Sequence, residues 1–135
     1  MKNKLFCLIV FASLFFSCAS SETQEAVYRR ISASEARKMM QELKEYIILD
    51  VRTEVEFAQR RIPGAVLIPH AEIRNRAEKE LPDKNMVILV HCQLGRRSEN
   101  AARKLVSMGY VNVYDFGGLA DWPYEIDETR VERTR

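Results

Sequence analysis

One stretch limits the fold of this 135-residue chain more than any other: Val87-Ile88-Leu89-Val90-His91-Cys92-Gln93-Leu94-Gly95-Arg96-Arg97-Ser98. Its four consecutive apolar, β-favouring residues read as a strand buried on both faces, the pattern of a parallel sheet covered by helices. The strand runs straight into a polar loop that opens on a cysteine and holds one glycine. Beyond Ser98 the small or apolar residues Ala101, Ala102 and Leu105 recur at helical spacing. Cys92 is therefore expected where a buried strand ends and a helix is about to begin. Free backbone N–H groups converge at such a place, and the guanidiniums of Arg96 and Arg97 add positive charge beside them.

That setting has a chemical consequence. A free thiol titrates near ~8.5, and a helix N-terminus with neighbouring cations lowers this to roughly 3.5–7.5. The thiolate, which is the nucleophile, is then well populated at neutral pH. The same N–H cradle suits an anionic substrate or a terminal sulfur anion on the cysteine. Most single cysteines in small domains are apolar fillers. Gln, Leu, Gly, Arg and Arg make a poor setting for a filler, so a reactive thiol is the expected reading.

The chain ends are set apart from this core. Lys2 and Lys4 precede a 12-residue apolar run, Leu5 to Phe16, too short for a spanning helix of about 20 residues and suited to an export signal. Ser17-Cys18-Ala19 resembles the lipobox of bacterial lipoproteins, which implies cleavage before Cys18 and lipidation of that residue. Cleavage after Ala19 would instead release a soluble periplasmic protein. The expected organisation is a signal peptide over 1–17, a lipid-anchored tether over 18–26, a single domain over 27–124 and a polar tail over 125–135, frayed or helical. Of 21 basic and 19 acidic residues, only Lys2 and Lys4 leave with the signal, which brings the charges into balance. No basic excess then argues for a nucleic-acid partner.

The chain has three cysteines. Cys7 leaves with the signal and Cys18 sits on the tether, so Cys92 is left as the domain's thiol. No Cys-x-x-Cys is present for dithiol chemistry, and His70, His91 and Cys92 are a thin set for a metal. No metal and no resident cofactor are expected.

The rest of the chain alternates. Val27 to Ile31 reads as a strand. Ser32-Ala33-Ser34-Glu35 is a capping box for a helix whose core stripe is Ala36, Met39, Met40 and Leu43. Tyr46 to Leu49 is a buried strand ending at Asp50-Val51-Arg52, and Glu54 to Arg60 a short helix. Val66 to Ile68 is a brief strand, Ala71 to Glu80 a helix, and Val111 to Phe116 the last strand. Alternation of this kind predicts an α/β domain with a mainly parallel central sheet and helices on both faces. Ligands in such sheets bind beyond the carboxyl ends of the strands, where Cys92 falls.

Four features together resemble the single-domain rhodanese family over residues 27–124. They are Asp50-Val51-Arg52 with Glu56-Phe57, Ile62-Pro63-Gly64-Ala65 with Ile68-Pro69, Cys92-x-x-Gly95-x-Arg97-Ser98, and Gly117-Gly118 with Trp122. Arg60-Arg61 stands where relatives commonly have Gly-His before the Ile-Pro turn. The resemblance implies a rhodanese-like fold and a sulfurtransferase. Cys92 would take sulfur from a small anionic donor such as thiosulfate as a covalent persulfide, then pass it to cyanide or a thiol, including a protein thiol. On the same grounds Gln93, Leu94, Gly95, Arg96 and Arg97 would surround the sulfur and bind the donor, and Ser98 would be the helix N-cap. Asp50 and Arg52 read as a buried pair that fixes loops. His91 is expected on the strand face opposite Cys92, His70 as a solvated or capping residue, and Trp122 and Tyr124 as lid or core aromatics.

Two rivals stand beside this reading. A cysteine phosphatase resembles His-Cys-x5-Arg, and here Ser98 occupies the position of the arginine. A non-catalytic, membrane-tethered module that binds anions or docks a partner would keep the fold; the intact Cys92, Gly95 and Arg97 argue against it.

Overall fold

The computed structural model describes residues 27–129. The expected signal peptide, the tether with Cys18, and residues 130–135 lie outside them.

Chain order is β1 (Arg29–Arg30), α1 (Ala33–Glu42), β2 (Ile47–Asp50), α2 (Glu54–Gln59), β3 (Arg60–Arg61), β4 (Val66–Leu67), α3 (Ile73–Glu80), β5 (Ile88–Cys92), α4 (Arg96–Ser107), β6 (Val113–Gly118) and β7 (Asp127–Glu128). A 3-10 turn over Leu119–Asp121 follows β6. The main sheet has the order β1-β6-β5-β2-β4, and every pairing in it is parallel. β5 lies at its centre, and all five of its residues are buried. The unbroken run Ile88-Leu89-Val90 is thus apolar because helices cover both faces of that strand.

Side chains alternate across β5, so the two faces draw on different residues. Ile88, Val90 and Cys92 join a cluster with Ile73 and Ala77 of α3 and Ala101, Ala102 and Leu105 of α4. Leu89 joins Ala36 of α1, Phe116 and Trp122 on the other face. Full burial of an Ile or Leu side chain contributes about 1.5–3 kcal/mol, which makes the shared central strand the main source of cohesion.

The α1 capping box forms as expected: Ser32 Oγ accepts from the Glu35 N–H, and Glu35 accepts from the Ser32 N–H. Ala36 is fully buried, while Leu43 at the C-cap is 37% exposed, so the core stripe ends one turn earlier than its periodicity suggests. Three further departures bear on function. α4 starts at Arg96 with Gly95 as N-cap; Ser98 is a buried residue of the first helical turn and not the cap. β6 runs from Val113 through both glycines instead of stopping at Phe116. The expected loose tail contributes a strand, since β7 pairs antiparallel with β3 and Thr129 bonds to the carbonyls of Ala58 and Gln59. Within it Glu128 makes a cross-strand ion pair with Arg60 at 2.8 Å.

Candidate active site

Cys92 is the last residue of β5, and the backbone turns beneath it into α4 through Gln93, Leu94 and Gly95. Gly95 adopts φ 94°, a left-handed conformation that costs a residue with a Cβ roughly 1–2 kcal/mol. This turn aims the Gly95 N–H at the sulfur, which accepts from it at 3.0 Å. Burial pushes the Cys92 thiol up, but hydrogen bonds from the Ser98 N–H and hydroxyl and from the N–H groups of Leu94 and Gly95 hold it below the ordinary thiol value. The sulfur is therefore a thiolate-favouring centre in a cradle of donors.

Three anchors fix the loop from inside. Arg52 and Asp50 are 2% and 0% exposed, and the guanidinium grips both carboxylate oxygens, Nε at 3.0 Å from each and a terminal nitrogen at 2.7 Å from Oδ2. The same guanidinium donates to Gln93 Oε1 at 3.4 Å and to the Arg60 carbonyl. Asp50 and Arg52 thus meet the loop at Gln93, and their hydrogen bonds do not reach the sulfur. Ser98 Oγ lies 3.0 Å from the Gly95 carbonyl and 3.3 Å from that of Gly117, tying α4 to the end of β6. At Gly118 a Cβ would collide with the Gln93 carbonyl, so only glycine lets β6 approach the loop this closely. Asp115, fully buried, accepts from the Gly117 N–H at 3.0 Å and keeps that approach in register.

Arg96 and Arg97, equivalent by sequence, are not equivalent in space. Arg97 donates to both oxygens of Glu56 at 2.8 and 2.7 Å. Its guanidinium holds the Glu56 carboxyl at about 2, and Glu56 in turn completes the Thr53 cap of α2. Arg97 is therefore neutralised by an acid that the sequence placed in a motif without giving it a role. Arg96 is exposed and pairs with no carboxylate among the described residues.

Outside the loop lies a cleft of about 630 Å³ lined by His70, Ala71, Gln93, Leu94, Arg96, Arg97, Asn100 and Lys104 together with Cys92. His70, Ala71, Asn100 and Lys104 were not singled out from sequence as site residues, because the wall joins the loop before α3 to one face of α4. The Lys104 ammonium donates to the His70 carbonyl at 2.9 Å and closes that junction. His91, although next to Cys92 in the chain, is fully buried on the other face against Phe116, ring centroids 5.1 Å apart. Burial pushes its imidazole down, so it stays neutral and away from the chemistry. Trp122 and Tyr124 belong to that far face too, as core aromatics and not as a lid.

A family model described as a rhodanese-like domain matches residues 32–124. Over 73 residues the chain is 40% identical to thiosulfate sulfurtransferase PspE of Escherichia coli K12, covering 54% of this chain and 70% of that protein. It is 31% identical over 97 residues to thiosulfate sulfurtransferase GlpE of Coxiella burnetii, covering 71% of this chain and 88% of that protein. Among solved structures it is similar to a rhodanese with anions from E. coli, with a TM-score of 0.58 at 34% identity, covering 62% of this chain and 99% of that one.

Proposed function

The chain belongs to the rhodanese-like domain family, and from that premise we propose that it is a sulfurtransferase working through a persulfide on Cys92. The observation that carries the reading is the sulfur itself. It stands at the open end of a buried strand, faces a cleft and accepts an N–H at 3.0 Å, in a cradle that keeps the thiol below its ordinary value. In the first half-reaction the Cys92 thiolate attacks the outer sulfur of thiosulfate. A sulfur–sulfur bond forms to Cys92, the bond to the sulfonate sulfur breaks, and sulfite leaves with the electron pair. The N–H groups of Leu94, Gly95 and Ser98 are donors for the anion on the terminal sulfur. Arg96, unpaired among the described residues, attracts the dianionic donor, and Asp50, Arg52 and Ser98 hold the loop in shape. In the second half-reaction cyanide or a thiol, including a protein thiol, removes the outer sulfur and restores the thiolate. No resident cofactor takes part.

Intact-mass spectrometry before and after thiosulfate tests this, with Cys92→Ser as control. A gain of one sulfur atom on the wild type alone, reversed by cyanide, is the expected result. A folded protein with a reactive thiol that takes sulfur from no donor would sink the reading in favour of an anion-binding or partner-docking module.

Residues 1–17 are proposed to export the domain to the periplasmic side, with Cys18 carrying a lipid. Metabolic labelling with a radioactive fatty acid, lost in Cys18→Ala, is the expected signature. Label retained in that variant overturns the assignment.

A further inference from the structure

Where β6 meets the cysteine loop, a buried carboxylate is left half satisfied. Asp115 is fully buried, and its Oδ1 accepts from the Gly117 N–H. Its Oδ2 meets no hydrogen-bond donor among the described residues. A buried anion in that state is costly unless a cation lies close. The cation comes from the edge strand β1. Arg30 and Asp115 are direct partners across the parallel β1–β6 pairing, so their side chains leave the sheet on the same face. One terminal nitrogen of Arg30 stands 4.0 Å from Asp115 Oδ2 and 3.8 Å from the Glu99 carboxylate of α4. The other would lie 3.3 Å from a Cβ placed on Gly95, the residue whose N–H bonds the sulfur. The guanidinium therefore reaches from the buried acid to the turn that holds Cys92.

The other acids around the loop have partners of their own. Asp50 is gripped by Arg52, Glu56 by Arg97, and Glu99 by Arg103. His91 is neutral on the opposite face, and the cleft in front of the sulfur brings His70, Arg96 and Lys104 but no carboxylate. Asp115 alone among these acids depends on a side chain that is 58% exposed and that comes from the first strand of the domain. Resting on the sulfurtransferase reading, we infer that Arg30 is a positioning residue for Cys92, cancelling the Asp115 carboxylate behind the loop so that this acid does not oppose the negative sulfur. The thiolate and the terminal sulfur of the persulfide both carry negative charge at that place, so one cancellation serves both halves of the reaction. Arg30 acts through its field and its contact with the turn, and bonds neither sulfur nor donor.

The test is the pH midpoint for alkylation of Cys92 by iodoacetamide, read by mass on the Cys92 peptide of the full chain. Arg30→Gln is expected to raise the midpoint by roughly half a pH unit, a modest shift because the guanidinium is more than half exposed. Arg30→Lys keeps the charge and should restore most of that shift. Raising salt should narrow the gap between wild type and Arg30→Gln. Asp115→Asn should move the midpoint the opposite way, downward, whereas a mere loosening of the loop would move it up. The Arg30 variants change an exposed side chain and decide the matter even if Asp115→Asn does not fold. An unmoved midpoint in Arg30→Gln, a shift that lysine does not repair, or a gap indifferent to salt would each overturn the inference. Sulfur uptake from thiosulfate is followed separately by intact mass. A chain that takes up sulfur but shows none of these shifts loses this inference alone. One that shows the shifts and takes up no sulfur loses the sulfurtransferase reading, while the effect of Arg30 on the thiol stands.

Discussion

On the inner side of the cysteine loop, Asp50 and Arg52 are buried, the guanidinium donating to Asp50, Gln93 and the Arg60 carbonyl. On the outer side, Leu94 and Arg96 stand exposed at the rim of an open cleft. The inner side spends residues on holding a shape, and the outer side leaves charge unsatisfied for something that arrives. Similar residue types therefore do unlike work. Arg52 and Arg97 are bound to carboxylates for good, whereas Arg96 and Lys104 keep their charge available. Substitutions on the two sides should separate accordingly, stability on one and transfer rate on the other.

Arg52→Ala is expected to have the largest effect. It strands the Asp50 carboxylate in the core, a loss of about 3–5 kcal/mol for a broken buried pair, which urea unfolding would register. Gly118→Ala comes next, since the added methyl meets the Gln93 carbonyl and overpacking of this kind costs about 1–3 kcal/mol. It should also slow alkylation of Cys92 at neutral pH, because the loop must shift to make room. If Gly118→Ala were as stable as wild type, the close approach of β6 would not be what shapes the cradle.

Glu56→Gln belongs between the two sides. Its pair with Arg97 is partly solvated, so the expected loss is about 1 kcal/mol at neutral pH. The folded carboxyl sits at about 2 against an ordinary 4.5. Its contribution is therefore present above pH 4.5 and is lost as pH falls from there toward 2. Acid titrations of stability for wild type and Glu56→Gln should converge through that window; parallel curves would exclude the pair as the cause. Ser98→Ala frees the Gly95 and Gly117 carbonyls from α4 and loosens the turn that aims the Gly95 N–H at the sulfur, and the pH at which Cys92 becomes alkylated should move upward. Arg96→Gln is expected to change stability by no more than about 0.5 kcal/mol, whatever it does to sulfur transfer.

Much of this division could be read from the sequence, and the unread part has a physical pattern. The strand Ile88–Val90, the Ser32 cap and the Asp50–Arg52 pair rest on local periodicity and short spacing, which one sequence displays. The Gly95 cap was missed because Ser is the commoner cap residue, while here a left-handed glycine turns the chain and Ser98 is needed one turn later to bind two carbonyls. Glu56 could have been paired with Arg97 only by knowing that α2 lies across from the loop, 41 residues away in the chain. His70 and Lys104 meet through a backbone carbonyl, which leaves no trace in residue identity. β7 was invisible for a similar reason: two charged residues have no strand signature, and their pairing with Arg60 and Arg61 is set by where Trp122 and Glu125 bring the chain, the indole donating to the Glu125 carbonyl at 3.2 Å.

The β3–β7 clasp also bears on the order in which the molecule is finished. Residues 127–129 brace the end of α2, and α2 carries the carboxylate that cancels Arg97. In a chain emerging from the ribosome, Cys92 and its loop come out before that brace does. Until it arrives, Glu56 rides on a two-turn helix with one end untied, and the balance of charge around the sulfur is not yet set. A protease that trims the protein just after Tyr124 would return it to the same unfinished condition, with the thiol intact and its surroundings loosened. Reactivity of the thiol toward a neutral alkylating agent, followed during limited digestion, would then report on the integrity of a segment that never touches it.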